Sequence, residues 1–218
     1  MDRVFNYDNK FFRGVSVLVD CVIISVCWML MCIPVFTIGA ASAAMYDTVH
    51  KTIRRDKGYV WSGFWKSFRE NFKPATKAWL IHLLILVVLG GDLYITSQAL
   101  QAGASWGMLY IVFLVMEALV AMWVIYTYAY IARFEQTLKL TLKNAALLAL
   151  ANLPKTALIF IVTLAAAIAL MYVPVLIVIL PALAAIFYEF ILEKVFRKVM
   201  TSEDLAKEQE EDRFDKDL

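Results

Sequence analysis

The chain contains few of the residues that usually catalyse reactions or bind metal ions. It has two histidines, His50 and His82, and three cysteines, Cys21, Cys27 and Cys32. The cysteine spacings fit no metal-binding template, which favours a packing role for these side chains. The sequence also lacks a GxxxxGK[ST] phosphate loop and a recognisable set of nucleophile, base and orienting group. It therefore predicts a chain that is not an enzyme, needs no cofactor or metal, and binds no nucleic acid.

Charge is also scarce. Charged residues make up 18% of the 218 residues and hydrophobic residues make up 62%, which gives a mean hydropathy of +0.69. An ordinary water-soluble domain has about 25% charged residues. The composition therefore predicts a membrane protein that is surrounded by lipid.

Long apolar runs, by contrast, are abundant. A bilayer core needs about 20 apolar helical residues to cross, and four blocks are long enough: 15–50, 78–98, 106–131 and 156–192. The first and last would each be about 55 Å long as one helix, which is almost twice the membrane thickness. Pro34 and Pro174 lie near their centres, and proline breaks a helix because it lacks a backbone N–H.

We therefore predict an all-α, polytopic membrane helical bundle. Its single transmembrane domain covers residues 1–200 and has six spans, arranged as three helical hairpins with interfacial amphipathic helices. The approximate spans are 15–33, 35–50, 78–98, 106–131, 156–172 and 175–192. Residues 201–218 form an acidic tail, which we expect to be solvated and partly disordered.

The distribution of cations supports this topology. All 21 lysines and arginines lie in 3–13, 51–77, 133–155 and 194–216, which are the segments that six spans assign to one side. Since cytoplasmic loops are rich in Lys and Arg, the pattern predicts that both termini are cytoplasmic. A five-span model, in which 35–50 lies on the membrane surface, is the alternative, because about 16 residues is short for a span.

Two related phrases, "NFKPATKAWLI" at 71–81 and "NLPKTALIF" at 152–160, predict helix starts. Asn caps helix N-termini and Pro is tolerated in a first turn. In the stretch 59–72, which overlaps the start of the first phrase, aromatic and basic residues recur at helical spacing. They predict an amphipathic helix lying flat in the headgroup region, either as a brace between hairpins or as a docking surface for a partner. These residues are Trp61, Phe64, Trp65, Phe68, Phe72, Lys66 and Arg69. Residues 137–150 form a weaker version.

Polar residues within the predicted spans are functional candidates, because ionisable groups are costly in a membrane. Glu117 is near the midplane, Asp92 lies in the outer half, and Asp20, His82 and Glu189 lie toward the inner edge. For Glu117 the residues allow a structural role, contact with a partner subunit, or a proton or ion relay.

Small residues are concentrated at the start of the second predicted span. Gly39, Ala40, Ser42 and Ala43 lie close together in the sequence. Small side chains let helix backbones approach closely. The pattern therefore predicts tight helix packing in preference to a substrate groove.

Three phrases, "PVFTIGAASAAMY", "FWKSFRENFKPA" and "LANLPKTAL", resemble the YesL family, which is also catalogued as the DUF624 domain of unknown function. The resemblance covers roughly residues 10–200. It implies a bacterial integral membrane protein, mostly of Gram-positive organisms, in the cytoplasmic membrane. Such proteins are commonly encoded beside carbohydrate ABC importers and sensor kinases. The resemblance implies no catalytic residues.

These features lead to two functional hypotheses. In the first, the chain is an accessory membrane subunit of a carbohydrate ABC importer, packs against its permease subunits and supports assembly or activity. In the alternative, it is an independent small-solute transporter or channel with Glu117 and Asp92 on its path. A role as a structural or sensory partner of a membrane kinase has no feature of its own in the sequence, and a homo-oligomer is compatible with either hypothesis.

Overall fold

The computed structural model describes residues 10–55 (side chains from residue 14), 59–202, 205, 206 and 208. Every regular element in these residues is helical, so the predicted all-α class is confirmed. The α-helices are α1 (Lys10–Cys32), α2 (Ile38–Thr48), α3 (Val60–Gln101), α4 (Leu109–Arg133), α5 (Leu138–Ala151), α6 (Leu153–Tyr172) and α7 (Leu180–Phe196). Short 3-10 turns at Val35–Thr37, Ser105–Met108 and Pro174–Val178 and a π-helical segment at Val49–Arg54 lie between them.

Both long apolar blocks break at their central proline. Helix α1 ends just before Pro34, which has an extended backbone and precedes a 3-10 turn. Helix α6 ends just before Pro174, which begins another 3-10 turn. A proline cannot donate the backbone hydrogen bond that would continue the helix, so these two breaks agree with the sequence prediction.

Four helices in the described residues are long and apolar enough to cross a membrane. They are Gly14–Cys32, Val60–Gln101, Ser105–Arg133 and Leu153–Tyr172. Helix α2, with 11 residues, and α7, with 17, are shorter than the roughly 20 residues that a span needs. The predicted second span, 35–50, is divided among a 3-10 turn, α2 and the start of the π-helical segment, which is why it yields no helix of that length.

Helix α3 corrects one prediction. It runs without a break for 42 residues, about 63 Å, and contains Pro74 in its interior. The predicted helix start at Asn71 is therefore wrong: the Asn71 side-chain amide donates to the backbone carbonyl of Ser67 within the same helix, at 3.1 Å. Phe64 and Phe68, which precede the proline, are buried in the core, and this packing keeps their segment in the same helix.

The second phrase behaves as predicted. Asn152 caps the N-terminus of α6 and Pro154 lies in its first turn, although the Asn152 side chain makes no capping hydrogen bond. Its amide donates instead to the carbonyl of Leu148, at 3.0 Å, at the end of α5. Asn152 thus both follows the last residue of α5 and caps the N-terminus of α6.

Helix α2 is the most buried helix of the fold and packs closely against α3. Gly39, Ala40, Ala43 and neighbouring small residues are buried. A Cβ atom added to Gly39 would lie 2.6 Å from the carbonyl oxygen of Ala75 and 2.7 Å from Cβ of Trp79. Only glycine therefore permits this approach of the two backbones.

We expect Gly39→Ala to lower the free energy of unfolding by about 1 to 3 kcal/mol, because the added methyl group must displace backbone atoms of α3. Gly90→Ala is the matched control: Gly90 is also helical but has no neighbour within 4 Å of an added Cβ, so alanine should be neutral or slightly stabilising. Unfolding of the detergent-purified protein measures both. Equal stability of the two variants would contradict the close approach.

Candidate functional site

Buried charges gather where three segments of the chain meet. The ionic cluster consists of His50 and Arg54 from the π-helical segment, Arg133 at the end of α4, and Glu189 and Glu193 from α7. The two glutamates lie four residues apart and so share one face of α7. His50, Glu189 and Glu193 are 3%, 1% and 5% exposed. Charged groups are rarely buried to this extent unless they are paired.

Each carboxylate has an arginine partner. Arg133 Nε lies 2.7 Å from Glu193 Oε1, and Arg133 Nη2 lies 3.3 Å from Glu193 Oε2, which is a two-pronged contact. Arg54 Nε lies 2.8 Å from Glu189 Oε2. The two guanidinium groups thus balance the two carboxylates, which compensates for part of the cost of removing them from water.

His50 lies between the two glutamates. Its Nδ1 atom is 3.0 Å from Glu189 Oε1 and 3.7 Å from Glu193 Oε1. Burial, followed by the nearby Arg133 guanidinium, lowers the pKa of His50 to about 3. Its second nitrogen, Nε2, is buried and has no hydrogen-bond partner.

Two further groups reach the ionic cluster. The Tyr46 hydroxyl donates a long hydrogen bond of 3.4 Å to Glu193 Oε1. Glu208, one of the few described residues of the predicted acidic tail, contacts Arg55 and lies 3.5 Å from Arg133 Nη2. The remainder of the tail, apart from residues 201, 202, 205 and 206, lies outside the described residues.

Of the polar residues predicted within spans, only Glu189 belongs to the ionic cluster. His82 is fully buried, with its ring edge-to-face against Trp123 and its Nδ1 3.4 Å from the Tyr128 hydroxyl. Glu117 is half-buried on α4, and its Oε2 atom is buried without a hydrogen-bond partner.

The two acids of the predicted solute path lie on different helices. Asp92 is half-buried on α3, and its backbone carbonyl accepts a hydrogen bond from the Thr96 hydroxyl. In the part of the chain that the structure describes, no hydrogen bond or ion pair joins Asp92 to Glu117. Asp20 is half-buried on a third helix, α1.

The predicted aromatic surface divides into a buried part and an exposed part. Phe64 and Phe68 are buried in the core, whereas Trp61 is 60% exposed. Trp65 and Phe72 are half-buried, and the rings of Trp61 and Trp65 meet edge-to-face at 5.8 Å. The exposed part forms an open groove, the aromatic-basic groove, lined by Trp61, Ser62, Trp65, Lys66, Arg69 and Glu70.

The sequence predicted a separate interfacial helix for these residues, but the groove is part of α3. Because α3 is continuous, residues 61–72 extend directly from the apolar part of this helix and do not form a separate helix. The groove is therefore presented by a rigid element that is anchored through Phe64 and Phe68. If a partner bound there, the groove would therefore lose little conformational freedom.

Most of the ionic cluster was missed by sequence reasoning. Arg54 and Arg133 were counted only among the cations of the predicted cytoplasmic segments, His50 was noted only as one of two histidines and as the end of a predicted span, and Glu193 was not singled out. The signal in the sequence is the pair Glu189 and Glu193, spaced at one helical turn within an otherwise apolar segment.

Together, the helical fold of the residues that the structure describes and the four helices of membrane-crossing length among them define a membrane protein. The family model described as "Protein of unknown function, DUF624" matches residues 21–93, which include α2, the π-helical segment and most of α3. The match confirms, over these residues, the family resemblance predicted from the sequence. No curated protein and no solved structure matches the chain significantly.

We expect Arg133→Met to lower the free energy of unfolding by about 3 to 5 kcal/mol, because it leaves the Glu193 carboxylate buried without its main partner. Arg197→Met is the matched control: Arg197 is exposed and lies just beyond the end of α7, so its effect should be within about 0.5 kcal/mol. Unfolding in detergent compares the two variants. Similar stabilities would show that the Arg133 contact contributes little.

Proposed function

We propose that the chain is an accessory membrane subunit of a carbohydrate ABC importer, which packs against the permease subunits and supports their assembly or activity. The exposed aromatic-basic groove carries this proposal. The family resemblance supplies the carbohydrate class, because it implies genes that commonly neighbour carbohydrate ABC importers. In this proposal the chain does not itself catalyse a reaction.

The composition of the groove favours a protein partner. Trp, Tyr and Arg are the residues most enriched among those that dominate binding energy at interfaces. Trp61 and Trp65 provide apolar area, while Lys66 and Arg69 can pair with acidic groups on a partner. Because α3 is continuous, the groove extends beyond the apolar part of this helix, so it can contact a part of the partner that lies outside the membrane core.

We further propose the six-span topology of three hairpins, with the ionic cluster on the cytoplasmic side of a bacterial cell membrane. Contacts between the helices before and after each central proline support the hairpins. The indole of Trp28 donates to Ser42 at 3.2 Å, and the hydroxyls of Thr163 and Tyr188 are 2.8 Å apart. In this topology α2 and α7 are short return segments, and both termini are cytoplasmic, as the positions of Lys and Arg favour.

Co-purification tests the proposal. With a tagged chain expressed in its native host and extracted in mild detergent, we expect permease subunits to be recovered with the wild type. Trp61→Ala should reduce their recovery about tenfold or more, because truncating a dominant interface residue costs about 2 kcal/mol or more.

Trp106→Ala is the matched control for this experiment. Trp106 is 51% exposed and lies in the 3-10 turn between α3 and α4, at the opposite end of α3 from the groove. Its substitution should leave permease recovery unchanged. Recovery of the wild-type chain alone would contradict the proposed function, and equal losses for both variants would contradict the role of the groove.

A second candidate function is an independent small-solute transporter or channel. The observation that favours it is the buried, unpartnered Oε2 atom of Glu117 within a candidate membrane span, because ionisable groups at such positions often line ion or substrate paths. Flux into liposomes that contain only the purified chain, abolished by Glu117→Gln, would favour this function over the accessory role.

A further inference from the structure

We propose that His50, Glu189 and Glu193 form a binding site for one divalent transition-metal ion of the Zn²⁺ type, at the junction of the π-helical segment and α7. This site is separate from the aromatic-basic groove, and it does not depend on the proposed function.

The distances among the three side chains suit such an ion. One nitrogen of His50 and one carboxylate oxygen from each glutamate lie within 4.8 Å of one another. Ligands that bind Zn²⁺ tetrahedrally at about 2.0 to 2.2 Å are about 3.3 to 3.6 Å apart. The two distances from His50 Nδ1 to the carboxylates, 3.0 and 3.7 Å, bracket this range.

The chemistry of the three ligands is also appropriate. Imidazole nitrogen and carboxylate oxygen are both common Zn²⁺ ligands, and a set of one His and two carboxylates leaves a fourth position for water or another ligand. The π-helical segment contributes to this set, because it brings His50 to face α7. Such segments are rare and occur frequently at functional sites.

The tautomer of His50 decides whether its Nδ1 atom can bind a cation. A neutral imidazole has only one N–H. If His50 carries it on Nε2, the Nδ1 lone pair faces two carboxylate oxygens with no positive charge between them. If His50 carries it on Nδ1, then Nε2 is a buried acceptor without a partner. A metal ion on Nδ1 replaces the first repulsion with three favourable bonds, while the N–H stays on Nε2.

The side chains around the three ligands would orient them and limit the affinity of the site for a metal ion. Arg133 and Tyr46 hold the Glu193 carboxylate, and Arg54 holds that of Glu189, as outer-shell partners of metal ligands do. Both guanidinium groups also repel a further cation. Removing Arg54, whose side chain is 44% exposed, should therefore strengthen metal binding, whereas removing a ligand should weaken it.

Metal binding by the full-length protein tests the proposal. After chelator treatment and desalting in detergent, the wild type should bind one Zn²⁺ per chain, measured by elemental analysis during titration. Co²⁺ in place of Zn²⁺ should give the visible absorption of a tetrahedral site. His50→Gln, Glu189→Gln and Glu193→Gln should each weaken binding about tenfold or more, while Arg54→Met should tighten it.

Glu117→Gln is the matched control, since Glu117 is an acid on α4 outside the ionic cluster, and it should leave the affinity unchanged. A wild type that binds no stoichiometric Zn²⁺ or Co²⁺ overturns the proposal, whether or not the variants fold. Unchanged affinity in His50→Gln also overturns it. Because the readout is metal content, a failure to recover permease subunits would leave this proposal intact.

Discussion

Two carboxylates that are almost completely buried on one face of α7 impose the main constraint on this fold. Glu189 and Glu193 are 1% and 5% exposed, and an unpaired charge at such positions costs several kcal/mol. The necessary cations come from other segments: Arg54 from the π-helical segment and Arg133 from the end of α4. Burial of these acids therefore requires the π-helical segment and the end of α4 to meet α7.

The remaining packing follows from this meeting point. The π-helical segment continues α2, whose small residues bring it against α3 at Gly39. Helix α3 then extends in both directions, presenting the aromatic-basic groove at its N-terminal end and pairing with α4 through the contact of His82 with Trp123. The packing of α2 against α3 thus connects the ionic cluster to the aromatic-basic groove, the surface that we propose binds a partner.

The sequence predicted the features that depend on local chemistry. The helix breaks at Pro34 and Pro174 were predictable because proline cannot donate the backbone hydrogen bond that would continue a helix through the centre of an apolar run. The predicted helix start at Asn71 and Pro74 was wrong, because the packing of Phe64 and Phe68 maintains a continuous helix there. Local start signals were overridden there by tertiary contacts.

The ionic cluster could not be predicted in the same way. His50 and Glu189 are 139 residues apart, and Arg133 and Glu193 are 60 apart, so a single sequence gives no indication that they pair. Only the spacing of Glu189 and Glu193 on one helical face was visible. The exposed part of the aromatic surface was predictable as a set of residues, but its division between core and groove depends on how α3 packs.

The central claim is that the ends of the π-helical segment and α7 lie on the same side of the membrane. Single cysteines in place of the exposed Lys51 and Lys194, in a chain lacking its native cysteines, can be labelled with a thiol reagent that does not cross the membrane. We expect both to be protected in intact cells and labelled in inverted vesicles, with the reverse for a cysteine at Trp106. Opposite accessibility of the cysteines at Lys51 and Lys194 would contradict the account.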